Sequence, residues 1–251
     1  MEPILSEDHA QFFKDNGYLI VRDMLDKEFI SNLQKRFIDH YGDLHNPAKW
    51  EKQKEMPDPL HDEKSPETHF DEQPEILRAV NQMGKGIFRG GGGGTGLITW
   101  PTLDAEWEFP TTGHLDGYPR ARWWPFMLSI TTYLFDVESH GGCFTFWPGS
   151  HLNARDFFRE NPKKIEGGFV RWEPGYDSDP RNWTQFTKDI QPQEFVGKAG
   201  DVIFWHSWII HTGSTNCNPS PRTGLFARYS CPGQYEARFE IPNDMWGLWG
   251  I

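Results

Sequence analysis

Two residues within Thr-Thr-Gly-His-Leu-Asp-Gly-Tyr-Pro have the types and spacing for chemistry: His114 and Asp116, two positions apart in a segment that reads as extended. In a strand, residues i and i+2 share a face, so the imidazole and the carboxylate converge. Together they are part of a metal site. One further histidine from elsewhere would complete a two-His, one-carboxylate facial set, which leaves coordination positions open and serves non-heme Fe(II) oxygenases. Taken alone, a His-x-Asp pair is better described as a surface turn, because the spacing is common by chance.

The third ligand should come from another strand with buried neighbours. Of the ten histidines, His9, His40, His45, His61 and His69 lie in helical or loop segments and are expected in solvent. His140 and His151 flank Gly-Gly-Cys-Phe-Thr-Phe-Trp-Pro-Gly-Ser and read as turn residues. That leaves His206 and His211, both in Gly-Asp-Val-Ile-Phe-Trp-His-Ser-Trp-Ile-Ile-His. His211 ends the apolar run and precedes small residues, so it can reach a cavity. Eleven residues later, Arg222 opens the next strand.

The elements that must position these groups fall into two parts. Ser6 caps an expected helix over 7–15, Tyr18 to Arg22 reads as a strand, and Asp26 caps a second helix with Phe29, Ile30, Leu33 and Phe37 on one face. Residues 41–73 carry no period and read as a long loop. Pro74 starts a helix bearing Ile76, Leu77, Val80 and Met83. From about residue 96 the pattern becomes short β-branched and aromatic runs between turn residues, as in an all-β sandwich or barrel. The expected strands are Leu97 to Trp100, Gly113 to Asp116, Phe126 to Phe135, Cys143 to Phe146, Asp201 to Trp205 and Arg222 to Ser230. Residues 152–194 are polar and read as an insertion over one mouth of the barrel. The chain is expected to be one domain over 1–251, with 1–95 as helical and loop support and 96–251 as the core.

Five consecutive glycines at 90–94 lack the lysine or helix context of a phosphate-binding loop and read as a flexible or closely packed turn. With 251 residues, 36 acidic against 25 basic side chains and a net charge of -11, the chain should repel nucleic acid and anionic membranes. Cys143, Cys217 and Cys231 show no paired spacing, which suits a reducing compartment. No signal peptide or long apolar run is evident, so a cytoplasmic, intracellular soluble protein is expected. Aromatic residues make up 15%, with 12 Trp, enough to line a core and a small-molecule cavity.

His114-x-Asp116, the Gly-Gly-Cys-Phe-Thr-Phe-Trp-Pro-Gly-Ser-His run, the Gly-Asp-Val-Ile-Phe-Trp-His-Ser-Trp-Ile-Ile-His run and Arg222 together resemble the phytanoyl-CoA dioxygenase (PhyH) family of Fe(II)/2-oxoglutarate oxygenases. The opening stretch from Leu5 to Phe37 is similar too; residues 41–112 and 152–194 are outside the resemblance. The family's fold would be mainly β with flanking helices, a double-stranded β-helix (jelly-roll, cupin-like) barrel. By this resemblance His114, Asp116 and His211 match the iron ligands and Arg222 matches the arginine that grips the far carboxylate of 2-oxoglutarate. Thr131 occupies a strand position that contributes a second cosubstrate contact. The implied reaction couples decarboxylation of 2-oxoglutarate by O2, giving succinate and CO2, to oxidation of an unactivated C–H bond. Because halogenating relatives replace the carboxylate ligand with a small residue, Asp116 favours hydroxylation over halogenation.

Substrate residues do not transfer between family members. Local candidates are Tyr118, Arg120, Arg122 and Trp124, just past the metal segment, and Arg228, which shares a strand face with Arg222. These arginines suit a small-molecule substrate with an anionic group, and equally describe solvated loop charges. The Trp246 and Trp249 tail is expected to pack on the barrel or on a second subunit. Two other classes compete: a metal-free binding module, and a cupin-like metalloenzyme without 2-oxoglutarate. Arg222 discriminates, since only a dicarboxylate cosubstrate provides it with an obvious partner. Spacing does not choose between Fe(II), Mn(II) and Co(II).

Overall fold

Ser6 begins the first helix as expected. Its hydroxyl accepts from the His9 N–H, the His9 ring accepts from the Ser6 N–H, and Gly17 ends the helix at φ 78°. In the computed structural model, which describes residues 3–56, 60, 68–90, 95–116, 127–160, 184–230, 244–247 and 249–251, helix α1 spans Glu7–Asn16 and leads into strand β1, Tyr18–Val21. Asp26 accepts from the Phe29 N–H and caps α2, Lys27–Tyr41, which buries Ile30, Leu33, Phe37 and Tyr41. A short helix α3, Trp50–Lys54, falls inside the expected 41–73 loop. Helix α4, Pro74–Met83, buries Ile76, Ala79, Val80 and Met83. Leu77 corrects the expected face: it is 39% exposed, because the stripe at i, i+3, i+4 and i+7 from Ile76 runs through Ala79 instead.

The β-rich portion forms two antiparallel sheets. The larger one runs β1, β7 (Val202–His206), β4 (Met127–Tyr133), β9 (Arg222–Ser230), β2 (Arg89–Gly90), with β3 (Thr95–Thr99) also paired to β9. The smaller runs β6 (Gln193–Glu194), β5 (Phe144–Phe146), β8 (His211–Gly213). Strand alternation gives the larger sheet two unlike faces. Leu128, Ile130, Val202, Phe204, Leu225 and Tyr229 pack outward in one core with residues of α1, α2 and α4. Tyr133, Ile203 and Trp205 pack inward with Phe144 and Phe146 of the smaller sheet. Two sheets facing across an aromatic interior, backed by helices, are the expected mainly-β jelly roll.

Three expectations change. Gly113 to Asp116 is not a strand: it carries a single bridge, His114 with His211, after which the chain turns so that the Asp116 N–H reaches the Ser207 carbonyl. The run from Trp147 to His151 is not only a turn, because Ser150 begins helix α5, Ser150–Glu160. The 152–194 insertion therefore starts inside this helix, and Thr184–Thr187 adds another helical turn. Leu115, Trp147, Ala154, Phe158, Trp208 and Ile210 form a separate core that fixes α5 beside the His114 segment. Residues 91–94 of the glycine run lie outside the described residues, as do Phe126 and Cys231. Among the described residues Cys143 and Cys217 are free thiols. Trp249 is buried against Phe13 and Phe88, so the C-terminal aromatics pack on the helical side of the sheet.

Candidate metal centre and cosubstrate pocket

His114 reaches the edge of the smaller sheet through its bridge to His211, and the two rings stand 4.4 Å apart between centroids. Leu115, fully buried, points the opposite way and anchors the segment. The i, i+2 relation therefore holds without a full strand. Asp116 Oδ1 lies 3.7 Å from Nε2 of His114 and 3.7 Å from Nε2 of His211. One ligand atom from each of the three residues lies within 4.8 Å of the others, the spacing of groups that can converge on one ion.

Local bonds fix the donor set. His211 Nδ1 lies 3.0 Å from the Ile209 carbonyl, which can only accept, so Nδ1 carries the proton and Nε2 presents a lone pair. Burial, with His114 close by, lowers the His211 pKa to about 3, so the ring is neutral at physiological pH. Burial alone would raise the Asp116 carboxyl, but His211, Arg228 and His114 outweigh it and hold the pKa below the ordinary value. Since His211 is neutral at physiological pH, Arg228 is the effective charge there. Its Nε donates to Asp116 Oδ2 at 2.6 Å.

Arg222 is the second unusual group. Only 3% exposed, it projects from the inner face of β9, where Nε donates to the Gly142 carbonyl at 2.7 Å. Its guanidinium carbon lies 5.9 Å from the Tyr133 and Phe226 ring centroids. Glycines make the space: a Cβ on Gly224 would stand 2.4 Å from Nη1. Among the described residues Arg222 has no carboxylate partner, and burial lowers its pKa. A buried cation without a counter-ion is costly, which a bound carboxylate would relieve. The residues present thus fit both a divalent metal and a dicarboxylate.

Residues 108–224 match the family model for phytanoyl-CoA dioxygenase (PhyH). The match spans a little under half of the chain. The matched stretch contains His114, Asp116, Thr131, His211 and Arg222. Ectoine dioxygenase from Bordetella parapertussis is 28% identical over 131 residues, covering 49% of this chain and 39% of that protein; the match spans well under half of the relative's length. Among solved structures, EctD from S. alaskensis with bound Fe has a TM-score of 0.62 at 16% identity, over 92% of this chain and 78% of that one. The epimerase SnoN in complex with Fe3+, alpha ketoglutarate and nogalamycin RO has a TM-score of 0.57 at 19% identity, over 89% and 82%. Both likenesses are of the fold.

The remaining histidines sort by their surroundings. His206 is buried on the outer face, where its Nδ1 accepts from the Trp208 N–H and its ring stacks on Trp249 at 5.5 Å, away from the triad. His140 is a turn residue, with φ 66° and its ring stacked on Trp107. His151 corrects the turn expectation. It is buried in α5, its Nε2 lies 2.9 Å from the Lys14 carbonyl at the end of α1, and its ring fills the space over Gly17. His69 is buried rather than solvated, packed beside Phe70 in the 3-10 turn before α4. His61 is outside the described residues.

Thr131 is fully buried and its Oγ1 accepts from Trp205 Nε1 at 3.0 Å, leaving its own proton to donate. Ser129, two residues earlier on the same face, has a buried Oγ without a hydrogen-bond partner. Alternation along β4 puts it on the inner face with Thr131. Tyr118, Arg120, Arg122 and Trp124 lie outside the described residues. A cavity of about 810 Å³, lined by Ile38, Leu44, Phe135, Val137 and Pro221, touches Arg222 but none of the triad. It is therefore a space distinct from the metal-ligand set.

Proposed function

We propose that this chain is an Fe(II)- and 2-oxoglutarate-dependent oxygenase that hydroxylates an unactivated C–H bond of a small molecule, releasing succinate and CO2. The observation that carries the reading is Arg222, a buried guanidinium with no counter-ion among the described residues, within the same PhyH-matched stretch as a converged His-Asp-His set. Iron, when bound, supplies O2 activation coupled to decarboxylation of 2-oxoglutarate.

His114, Asp116 and His211 hold the metal through two Nε2 atoms and Oδ1. Arg222 offers a planar fork to the far carboxylate of 2-oxoglutarate, and Thr131 donates its hydroxyl proton to the same group. The spacing suits a short dicarboxylate: Arg222 Nη2 would lie 3.5 Å from a Cβ on Gly213, and Gly213 is two residues, roughly 7 Å, along β8 from His211. Tyr133 and Phe226 exclude water around the guanidinium and strengthen its pairing. Arg228 is half-exposed and is assigned to the substrate, suited to an anionic group; Tyr118, Arg120, Arg122 and Trp124 are assigned to it on sequence grounds alone. The whole of 1–251 is taken as one domain. Among the described residues no helix is long and apolar enough to cross a membrane.

The test is anaerobic addition of Fe(II) and then 2-oxoglutarate to apoprotein, reading the visible charge-transfer band of the chelate. A band in wild type that disappears in Arg222→Ala supports the reading. Metal binding without a band would place the protein among metalloenzymes that do not use 2-oxoglutarate.

A further inference from the structure

We infer that Arg228 is a positioning residue that holds Asp116 in one-oxygen coordination and so keeps the remaining metal positions open. The inference rests on the His114, Asp116 and His211 ligand reading. A carboxylate can present one oxygen or two to a metal, and the number it presents decides how many positions remain for other ligands. In this chain the two oxygens have separate partners. Oδ1 faces both imidazole Nε2 atoms at 3.7 Å, while Oδ2 is taken by Arg228 Nε at 2.6 Å. The Asp116 side chain is 9% exposed, so water has little room to replace the arginine.

The contact depends on strand register. Arg222, Gly224, Phe226 and Arg228 alternate onto the inner face of β9, and β9 pairs Arg228 with Ser129 of β4, within the central part of the sheet. One strand face thus carries Arg222 toward the cosubstrate pocket and, six residues later, Arg228 toward the metal carboxylate. Two effects oppose one another. The guanidinium charge disfavours a nearby cation, whereas its hydrogen bond removes the freedom of Asp116 to rotate or chelate. The outer partners of metal ligands typically contribute 10- to 100-fold in affinity, so orientation should win.

Apoprotein would be titrated anaerobically with Co(II), whose visible bands report coordination number, in wild type, Arg228→Met, Arg228→Lys, Asp116→Ala and the Asp116→Ala/Arg228→Met double variant. Circular dichroism would first verify the fold of each. The expected result is a Co(II) Kd about 10- to 100-fold weaker in Arg228→Met, with less intense bands as the second carboxylate oxygen joins the metal. Arg228→Lys should recover most of the affinity and the band intensity, since one ammonium donor can reach Oδ2. The Asp116→Ala/Arg228→Met double variant should bind no Co(II), like Asp116→Ala alone. Loss of Co(II) in Asp116→Ala alongside wild-type or tighter binding in a folded Arg228→Met would overturn the positioning role alone. Retention of wild-type Co(II) binding in Asp116→Ala would instead remove the ligand reading on which it rests.

Discussion

His114 and His211, ninety-seven residues apart in sequence, exchange reciprocal backbone hydrogen bonds, His114 N to His211 O at 3.0 Å and His211 N to His114 O at 3.1 Å. The paired backbone sets the separation of the two imidazoles before any metal arrives. The donor set is accordingly preorganised, and its side chains can be changed without disturbing the bridge that holds it.

Asp116→Ala and His211→Ala should each abolish metal binding and turnover while the unfolding midpoint of the apoprotein moves little. Calorimetric titration with Fe(II) or Co(II) measures the first and thermal denaturation the second. Wild-type turnover in either variant would refute the ligand assignment.

Removing the charge at Arg222 should affect stability and binding in opposite directions. An uncompensated buried cation is destabilising, so Arg222→Met should unfold at a higher temperature than wild type when both are apo. Saturating 2-oxoglutarate, at a hundred times its Kd, should stabilise metal-loaded wild type by about 2.7 kcal/mol and leave the variant unchanged. Equal stabilisation of both proteins would show that Arg222 does not hold the dicarboxylate.

Gly224→Ala places a methyl group 2.4 Å from the buried Arg222 Nη1 and 2.9 Å from the partly buried Phe226 ring. Overpacking of this kind costs about 1–3 kcal/mol. The variant should also weaken 2-oxoglutarate binding with the metal Kd unaltered, because no triad residue is displaced. A parallel loss of both affinities would contradict the separation of the two subsites.

Acidification should destabilise the apoprotein partly through His151, whose pKa burial lowers from 6.5 to about 4. Between these values the unfolded chain binds a proton that the folded one does not, so stability rises with pH across the window. The contribution is present above 6.5 and is lost as pH falls toward 4, by at most about 1.4 kcal/mol per unit. His151→Gln, which keeps a donor for the Lys14 carbonyl, should flatten the dependence of urea stability on pH by up to one proton. His211 acts with the same sign in the absence of metal, so some slope should remain. An unchanged slope would exclude His151 as a contributor.

Several features were legible in the sequence because they depend on neighbours along the chain. The Ser6 and Asp26 caps, Pro74 at a helix start and the turn-punctuated strands are local physics, and each of these elements except the Gly113 to Asp116 strand appears within a residue or two of its expected place. His114 and Asp116 were legible for the same reason, since any extended backbone places i and i+2 on one side. The family's ordered motifs added Arg222 and His211. His151 was misjudged because its burial comes from a segment distant in sequence: it meets the end of α1 across 137 residues.

What the sequence by itself determined, then, is the chemical inventory: two histidines and a carboxylate suited to a metal, and one arginine suited to a dicarboxylate. Only the tertiary structure decided which face each group occupies. The run from Val202 to Ile210 is buried throughout, so hydrophobic periodicity could not tell an inward residue from an outward one. Pairing of β7 with β1 and β4 turns His206 toward Trp249, and the bridge to His114 turns His211 toward Asp116. The contact of Arg228 with Asp116 is of the same kind. It joins residues 112 positions apart, and a one-residue slip of β9 would send the arginine to the opposite face of the sheet.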